Sequence, residues 1–224
     1  MKIFRYIRYF FYIAINWNWK IAAVTIKEEL AGEKKYGINT TGEDELKNLK
    51  KKGKNFAHAT IYMPVSYHII EKAIEKIPSA NKTHFIDIGC GKGRALVVAA
   101  HYGFKKITGI EWAEKLSNEA EKNLHLTKIS CPTIETEIIN GDAATYGIPA
   151  DTDCIFLFNP FDDFIMKKVV ANIFKSLKEN PRTLHVIYAN PLYKRLFLDG
   201  DFYETFHYQR YHYFEVSILS VRHS

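Results

Sequence analysis

A glycine-rich turn between an apolar segment and a helical pattern limits the possible folds of this chain more than any other feature. Residues 85–94 read Phe-Ile-Asp-Ile-Gly-Cys-Gly-Lys-Gly-Arg. Because glycine has no β-carbon, Gly89 and Gly91 permit a tight turn that a ligand can approach closely, and Gly93 lets the next helix begin against the sheet. The spacing G-x-G-x-G is neither the dinucleotide fingerprint nor a phosphate-binding loop, so the turn alone permits several nucleotide ligands or none.

Strand and helix patterns alternate on both sides of this turn. Apolar strands are predicted over residues 84–88, 107–110, 133–139, 154–158 and 184–188, with helical patterns between them. Two alternating strands follow over residues 202–221. Strands that alternate with helices indicate an α/β fold with an open parallel sheet, and the last strand pair predicts an antiparallel edge.

The N-terminal region has a different composition. Apolar and aromatic residues recur at helical spacing, which predicts an amphipathic helical extension over residues 1–30. Its apolar side is formed by Ile3, Tyr6, Ile7, Phe10, Ala14 and Trp17, and its other side by Lys2, Arg5, Arg8, Tyr12 and Asn16. A polar connector with a lysine run is predicted over residues 31–57, and the main domain over residues 58–224. The uncharged run from Tyr9 to Trp19 is too short to span a bilayer. Two interpretations stay open: the helix packs on the main domain or a partner, or residues 1–20 make a peripheral membrane contact.

Charge and cysteine content limit the partners and the compartment. The formal net charge of +6 favours anionic partners, such as an acidic protein face, a nucleic acid or an anionic lipid surface. The three cysteines are widely spaced and include no C-x-x-C pair, so neither a disulfide framework nor a thiolate metal site is indicated. We therefore expect a reducing, cytoplasmic location, with or without membrane association, and no metal site.

Three further segments place polar groups at predicted strand ends. Glu111 ends the strand after the turn, where an acid can accept hydrogen bonds from ribose hydroxyls, and Trp112 can pack on an adenine ring. Asp142 follows the third strand and can accept from an adenine amino group. Asn159-Pro160-Phe161 follows the central strand, where it offers oxygen acceptors and an aromatic face to an amine, although Asn-Pro is also common in plain turns.

These segments, in this order, resemble the motifs of class I S-adenosylmethionine-dependent methyltransferases over residues 60–220. The resemblance implies a doubly wound, mostly parallel seven-stranded sheet with an antiparallel C-terminal hairpin, and S-adenosyl-L-methionine as cofactor. It implies that the turn wraps the amino-acid part of the cofactor, that Glu111 binds the ribose, and that Asp142 with Ala143 frames the adenine. The implied cofactor-binding set is Asp87, Gly89, Cys90, Gly91, Gly93, Glu111, Trp112, Asp142, Ala143 and Asn159.

A second resemblance concerns the acceptor. Residues 61–66, Ile-Tyr-Met-Pro-Val-Ser, resemble a Tyr-x-Pro-Thr element that precedes a helix in several protein-lysine methyltransferases of this class. Asn159-Pro160-Phe161 is similar to the Asn-Pro-Pro-Tyr motif of amino-group methyltransferases, but it lacks the second proline and has Phe in place of Tyr. Carried over, Tyr62, Asn159 and Phe161 form the catalytic acceptor site.

Three functions follow from the sequence. The one we favour is a methyltransferase that acts on the side-chain amine of a protein lysine. The second is a methyltransferase that acts on a small molecule or on a nucleic-acid amine. The third is a cofactor-binding module without turnover, docked to a partner or a membrane through its N-terminal helix.

Overall fold

A seven-stranded sheet forms the centre of the computed structural model, which describes residues 2–41, 64–158, 161–210 and 214–221. The strands in chain order are β1 (His84–Ile88), β2 (Lys106–Glu111), β3 (Glu135–Asn140), β4 (Cys154–Phe158), β5 (Leu184–Ala189), β6 (Tyr203–Arg210) and β7 (Phe214–Val221). Their order across the sheet is β3-β2-β1-β4-β5-β7-β6. The first five strands are mutually parallel, and β7 is antiparallel to both β5 and β6. This confirms the predicted sheet and its reversed hairpin.

Helices cover both faces of the sheet. Their bounds are α3 (Tyr67–Ile74), α4 (Arg94–His101), α5 (Glu114–Ser130), α6 (Asp163–Glu179) and α7 (Arg195–Leu198), with a 3₁₀ turn at Ser79–Asn81. Alternate residues of β1 enter different cores: Phe85 packs with α3 and α4, whereas Ile86 packs with α6. A strand buried on both faces must be apolar throughout, which explains why the central strands read as continuous apolar runs.

The N-terminal region forms two helices, α1 (Lys2–Asn16) and α2 (Trp19–Tyr36). The break falls at Asn18, whose side chain accepts a hydrogen bond from the Ile21 amide at 2.9 Å and caps α2. Gly37 ends α2 in the left-handed conformation, with φ of 68°. The predicted boundary at residue 30 therefore lies inside α2. No helix within the described ranges is long and apolar enough to cross a membrane.

The buried face of α1 also differs from the predicted one. Tyr9 and Ile13 are buried against Ala22 of α2, while Ile7 and Trp17, which belong to the predicted apolar face, are exposed. The α1 sequence is apolar on more than one side, so the hydrophobic period predicts a helix but does not determine which side is covered.

Candidate active site

The glycine turn has the backbone geometry that its sequence indicates. The φ angles of Gly89, Gly91 and Gly93 are 83°, 55° and 78°, a region that residues with a β-carbon rarely adopt. A β-carbon on Gly93 would also lie 3.2 Å from the β-carbon of Ala120 in α5. The chain therefore leaves β1 through a turn in which three of the five residues have no side chain, and it enters α4 close to α5.

Glu111 connects this turn to the end of β2. One carboxylate oxygen accepts from the Gly91 amide at 2.9 Å, and the other accepts from the Ala113 amide at 2.8 Å. Each carboxylate oxygen has two lone pairs, so both can still accept a ribose hydroxyl. Burial raises the pKa of Glu111 despite these backbone donors.

Asp87 is a second buried carboxyl beside the turn. Burial is the main cause that raises its pKa well above the usual range, and the charge of Glu111 raises it further. Burial also raises the pKa of Cys90, so its thiol is neutral at physiological pH. Burial thus destabilises the charged forms of Asp87 and Glu111. A cationic ligand at this end of β1 would offset that cost. A sulfonium cofactor with an amino group has that charge.

Residues at the end of β3 lie beside Glu111 and include the predicted adenine-binding pair Asp142 and Ala143. The Asn140 side-chain amide donates to the carbonyl oxygens of Glu111 at 2.8 Å and of Trp112 at 3.0 Å, and so ties β3 to β2. Asp142 accepts from the Ala144 amide at 2.9 Å, which fixes the next turn. Ala143 is buried and Trp112 is exposed at the rim. The structure thus brings Gly89–Gly93, Glu111 and Asp142 to the ends of three adjacent strands.

The acceptor side lies beyond β4, across the point where the strand order reverses. Phe161 follows this strand and packs, half-buried, against the core that contains α6. Tyr62 and Asn159 lie outside the described residues. The described end of the Tyr-x-Pro segment, Pro64, lies close to the end of β4, because both border the same cavity.

This cavity has a volume of about 300 Å³ and lies between the N-terminal helices and the carboxyl ends of β4 and β5. Its lining combines aromatic and aliphatic side chains with three glutamates. The lining residues used below are Tyr9, Ile13, Phe158, Phe214, Glu28 and Glu215. Since β4 neighbours both β1 and β5, the cavity adjoins the cofactor half of the sheet edge.

A buried ion pair holds the N-terminal helices over this edge. The Arg94 guanidinium, directly after the glycine turn, donates from Nη1 and Nη2 to the two carboxylate oxygens of Glu29 at 2.6 and 2.5 Å. It also donates to the Val65 carbonyl at 2.6 Å and to the Thr40 hydroxyl at 2.8 Å. Both Arg94 and Glu29 are buried. Sequence reasoning missed this pair because its members are 65 residues apart.

Asn190 is a further residue that sequence reasoning missed. It follows β5, borders the cavity and has a φ of 48°. Its amide donates to the Glu215 carbonyl at 2.9 Å. Asparagine tolerates this left-handed backbone better than other residues with side chains, and the Asn-Pro dipeptide at residues 190–191 was the available signal.

Comparisons with known proteins agree with this geometry. A family model described as "Methyltransferase domain" matches residues 85–180. Among curated proteins, no sequence matches the chain.

Several solved structures share the fold. A ribosomal protein L11 methylase from Lactobacillus delbrueckii subsp. bulgaricus is 15% identical, with a TM-score of 0.51 over 69% of this chain and 78% of that one. Magnesium protoporphyrin IX methyltransferase from Synechocystis PCC 6803, with bound S-adenosylmethionine, is 17% identical, with a TM-score of 0.51 over 70% and 79%. An RNA methyltransferase from Salinibacter ruber, bound to S-adenosylhomocysteine, is 16% identical, with a TM-score of 0.53 over 72% and 95%.

The fold, the site geometry and the family model agree with one another. The sheet is doubly wound with a reversed hairpin, and its glycine turn, strand-end glutamate and following aspartate occupy adjacent strand ends. The residues fit an adenosyl cofactor, because the three glycines of the turn have no side chains to obstruct it and the buried acids favour its positive charge. The chain therefore carries a methyltransferase domain over residues 85–180, in a fold that it shares with methyltransferases solved with S-adenosylmethionine or S-adenosylhomocysteine bound.

Proposed function

We propose that this methyltransferase transfers the methyl group to the side-chain amine of a protein lysine. The observation that carries the proposal is the cavity of about 300 Å³ beside the cofactor half of the site, in which apolar walls and carboxylates occur together. A lysine side chain has this dual character, with a four-carbon apolar stem and a cationic head.

The walls of the cavity suit the stem of the acceptor. Tyr9 and Ile13 of α1 face the strand ends across the cavity, where Phe158 and Phe214 form the other side. Aromatic faces also attract an ammonium group. Within this proposal Tyr62, Asn159 and Phe161 keep their predicted role as acceptor-side residues next to the transferred methyl group.

The charges of the cavity favour a cationic acceptor over a nucleic acid. Glu29 pairs with Arg94, and Glu28 pairs with Arg210 at 3.0 Å and accepts from Ser66 at 2.6 Å. Glu215 lies 3.7 Å from His207, which is a longer contact than either of these. Glu215 is therefore the carboxylate that we propose to attract the lysine ammonium. The same charges repel a phosphate backbone.

Catalysis then depends on positioning. The cofactor supplies a methyl group on a sulfonium sulfur, and Glu111 with the glycine turn holds its adenosyl and amino-acid parts. The apolar walls lower the pKa of the entering amine by desolvation, so that its proton passes to solvent water before transfer, and S-adenosylhomocysteine is the leaving group. The cavity aligns the neutral nitrogen with the methyl carbon, and alignment of this kind accounts for much of the rate gain in a displacement reaction.

The similar structures are named for a ribosomal protein, a porphyrin and an RNA as their substrates. The fold is thus compatible with all three acceptor classes. The choice of a lysine rests on the cavity of this chain.

A labelling experiment tests the proposal. The full-length protein is incubated with methyl-labelled S-adenosylmethionine and a cell lysate, and the product is treated with protease or with nuclease. We expect label that is sensitive to protease and is found on lysine after peptide mass spectrometry. Label confined to nucleic acid or to small molecules would overturn the lysine assignment and leave the methyltransferase class intact.

A matched pair of variants tests the role of the cavity. Glu215→Gln removes the cavity charge that we assign to the acceptor, and the control Glu179→Gln removes a charge that pairs with Lys175 on α6, outside the cavity lining. We expect Glu215→Gln to raise the KM for the protein acceptor about tenfold or more, while cofactor affinity stays unchanged. Equal acceptor KM values for the two variants would contradict the role of Glu215.

A further inference from the structure

The outward side of α1 carries a row of exposed apolar residues. We define the outer face of α1 as Phe4, Ile7, Phe11 and Ile15, which recur every three or four residues on one side of the helix. Phe4 is 78% exposed, Phe11 58% and Ile15 81%. Tyr9 and Ile13, on the opposite side, are buried. An apolar row of this kind is unusual on a soluble surface and marks an interaction site.

The exposed charged side chains of residues 4–41 all have one sign. Residues 4–41 contain three acids, Glu28, Glu29 and Glu33, and none of them is an exposed residue. Each is held in the interior by a cation or a hydroxyl group, as in the Glu29–Arg94 and Glu28–Arg210 pairs. The exposed charged residues of this region are all cations: Arg8, Lys20, Lys27, Lys34 and Lys35.

We propose that the outer face of α1 binds the surface of an anionic lipid bilayer. A helix of 15 residues with an apolar aromatic face and basic neighbours lies in the interface, with its apolar residues among the acyl chains and its cations near the headgroups. Trp19, followed by Lys20, is exposed at the start of α2, four residues after Ile15 in the sequence. Tryptophan and lysine are both favoured at headgroup depth.

The same observations argue against other occupants. A second copy of this chain, packed face to face through α1, would bring its exposed basic residues, such as Arg8, close to those of the partner, and like charges oppose association. A nucleic acid would pair with the lysines but would leave the apolar side chains of Phe4, Phe11 and Ile15 without a matching surface. Of these three occupants, an anionic bilayer is the one that matches both the apolar row and the positive charge.

This binding is separate from the proposed acceptor. The inner side of α1 borders the cavity through Tyr9 and Ile13, while the outer face points away from it. Membrane binding can therefore be present or absent whichever molecule accepts the methyl group.

Vesicle flotation with the full-length protein tests the proposal. The vesicles are phosphatidylcholine alone, or phosphatidylcholine with about one third phosphatidylglycerol to give an anionic surface. We expect the protein to float with the anionic vesicles and to be released as the salt concentration rises. Absence of flotation, or equal flotation with neutral vesicles, would overturn the proposal.

The chain offers a closely matched control. Ile15 and Ile129 are each the next-to-last residue of a long helix, and they are 81% and 79% exposed. We expect Ile15→Glu to weaken anionic vesicle binding about tenfold or more, and Ile129→Glu to leave it unchanged. Equal effects of the two variants would refute the assignment to α1. Conversion of a dimer to a monomer by Ile15→Glu, measured by light scattering, would show instead that a second copy covers this face.

Discussion

Removal of the Arg94 guanidinium should destabilise the protein far more than removal of a surface cation. Arg94→Met leaves the buried Glu29 carboxylate without its cation and deprives the Val65 carbonyl and the Thr40 hydroxyl of a donor. Breaking one side of a buried ion pair costs about 3–5 kcal/mol. For a chain of this size, each kcal/mol lowers the melting temperature by about 2–4 °C, so we expect a fall of about 10 °C.

The assay is equilibrium unfolding in urea, followed by circular dichroism, with Lys167→Met as the control. Lys167 and Asp163 form an exposed pair at 2.6 Å on α6, and such a pair contributes at most about 0.5 kcal/mol. The double variant Glu29→Leu with Arg94→Met removes both buried charges and should recover much of the lost stability. If Arg94→Met costs no more than Lys167→Met, the N-terminal helices are not held as we describe.

Three further predictions concern the turn and the strand ends. Gly93→Ala should cost about 1–3 kcal/mol of unfolding free energy, and more than Gly103→Ala, because both positions have positive φ but only the β-carbon at 93 meets Ala120; equal losses in urea unfolding would refute the contact. Burial raises the pKa of the Asp87 carboxyl above its value in the unfolded chain, which is about 4. The stability that comes from holding this proton is therefore fully present below about pH 4, and it is lost as the pH rises through the folded-state pKa. Without cofactor, Asp87→Asn should therefore be more stable than the wild type at pH 7, by a margin that shrinks toward pH 4; a margin independent of pH in thermal unfolding would contradict this. Asn190→Val should lose about 1–2 kcal/mol because its φ of 48° strains a β-branched residue, whereas Asn190→Gly should be close to neutral; similar values for the two would show that the backbone is not constrained there.

The sequence predicts the sheet well because its central strands have a local signal. Residues 154–158 are entirely apolar, and burial on both faces of a parallel sheet requires this composition. The glycine turn is equally local, since three positive φ angles need glycine at those positions. Glu111 could be anticipated because the end of the next parallel strand must lie beside the turn.

The features that the sequence did not predict depend on contacts between distant residues. Arg94 reads as an ordinary first residue of a helix, and nothing near it indicates a partner in α2. Asn18 is a local signal for the break between α1 and α2. The buried side of α1 has no such signal, because α1 is apolar on opposite sides. Periodicity therefore predicts the helix, while tertiary packing decides that Tyr9 and Ile13 are buried.

The central claim is that an adenosyl cofactor binds at the glycine turn and is held by Glu111. Calorimetric titration of the full-length protein with S-adenosylmethionine, for the wild type and for Glu111→Ala, tests this most directly. We predict one binding site in the wild type and an affinity at least about tenfold lower in the variant, because the variant removes the buried carboxylate that we propose to accept the ribose hydroxyls. Circular dichroism must show that the variant is folded. No binding to the wild type, or equal affinity for a folded Glu111→Ala, would contradict the account.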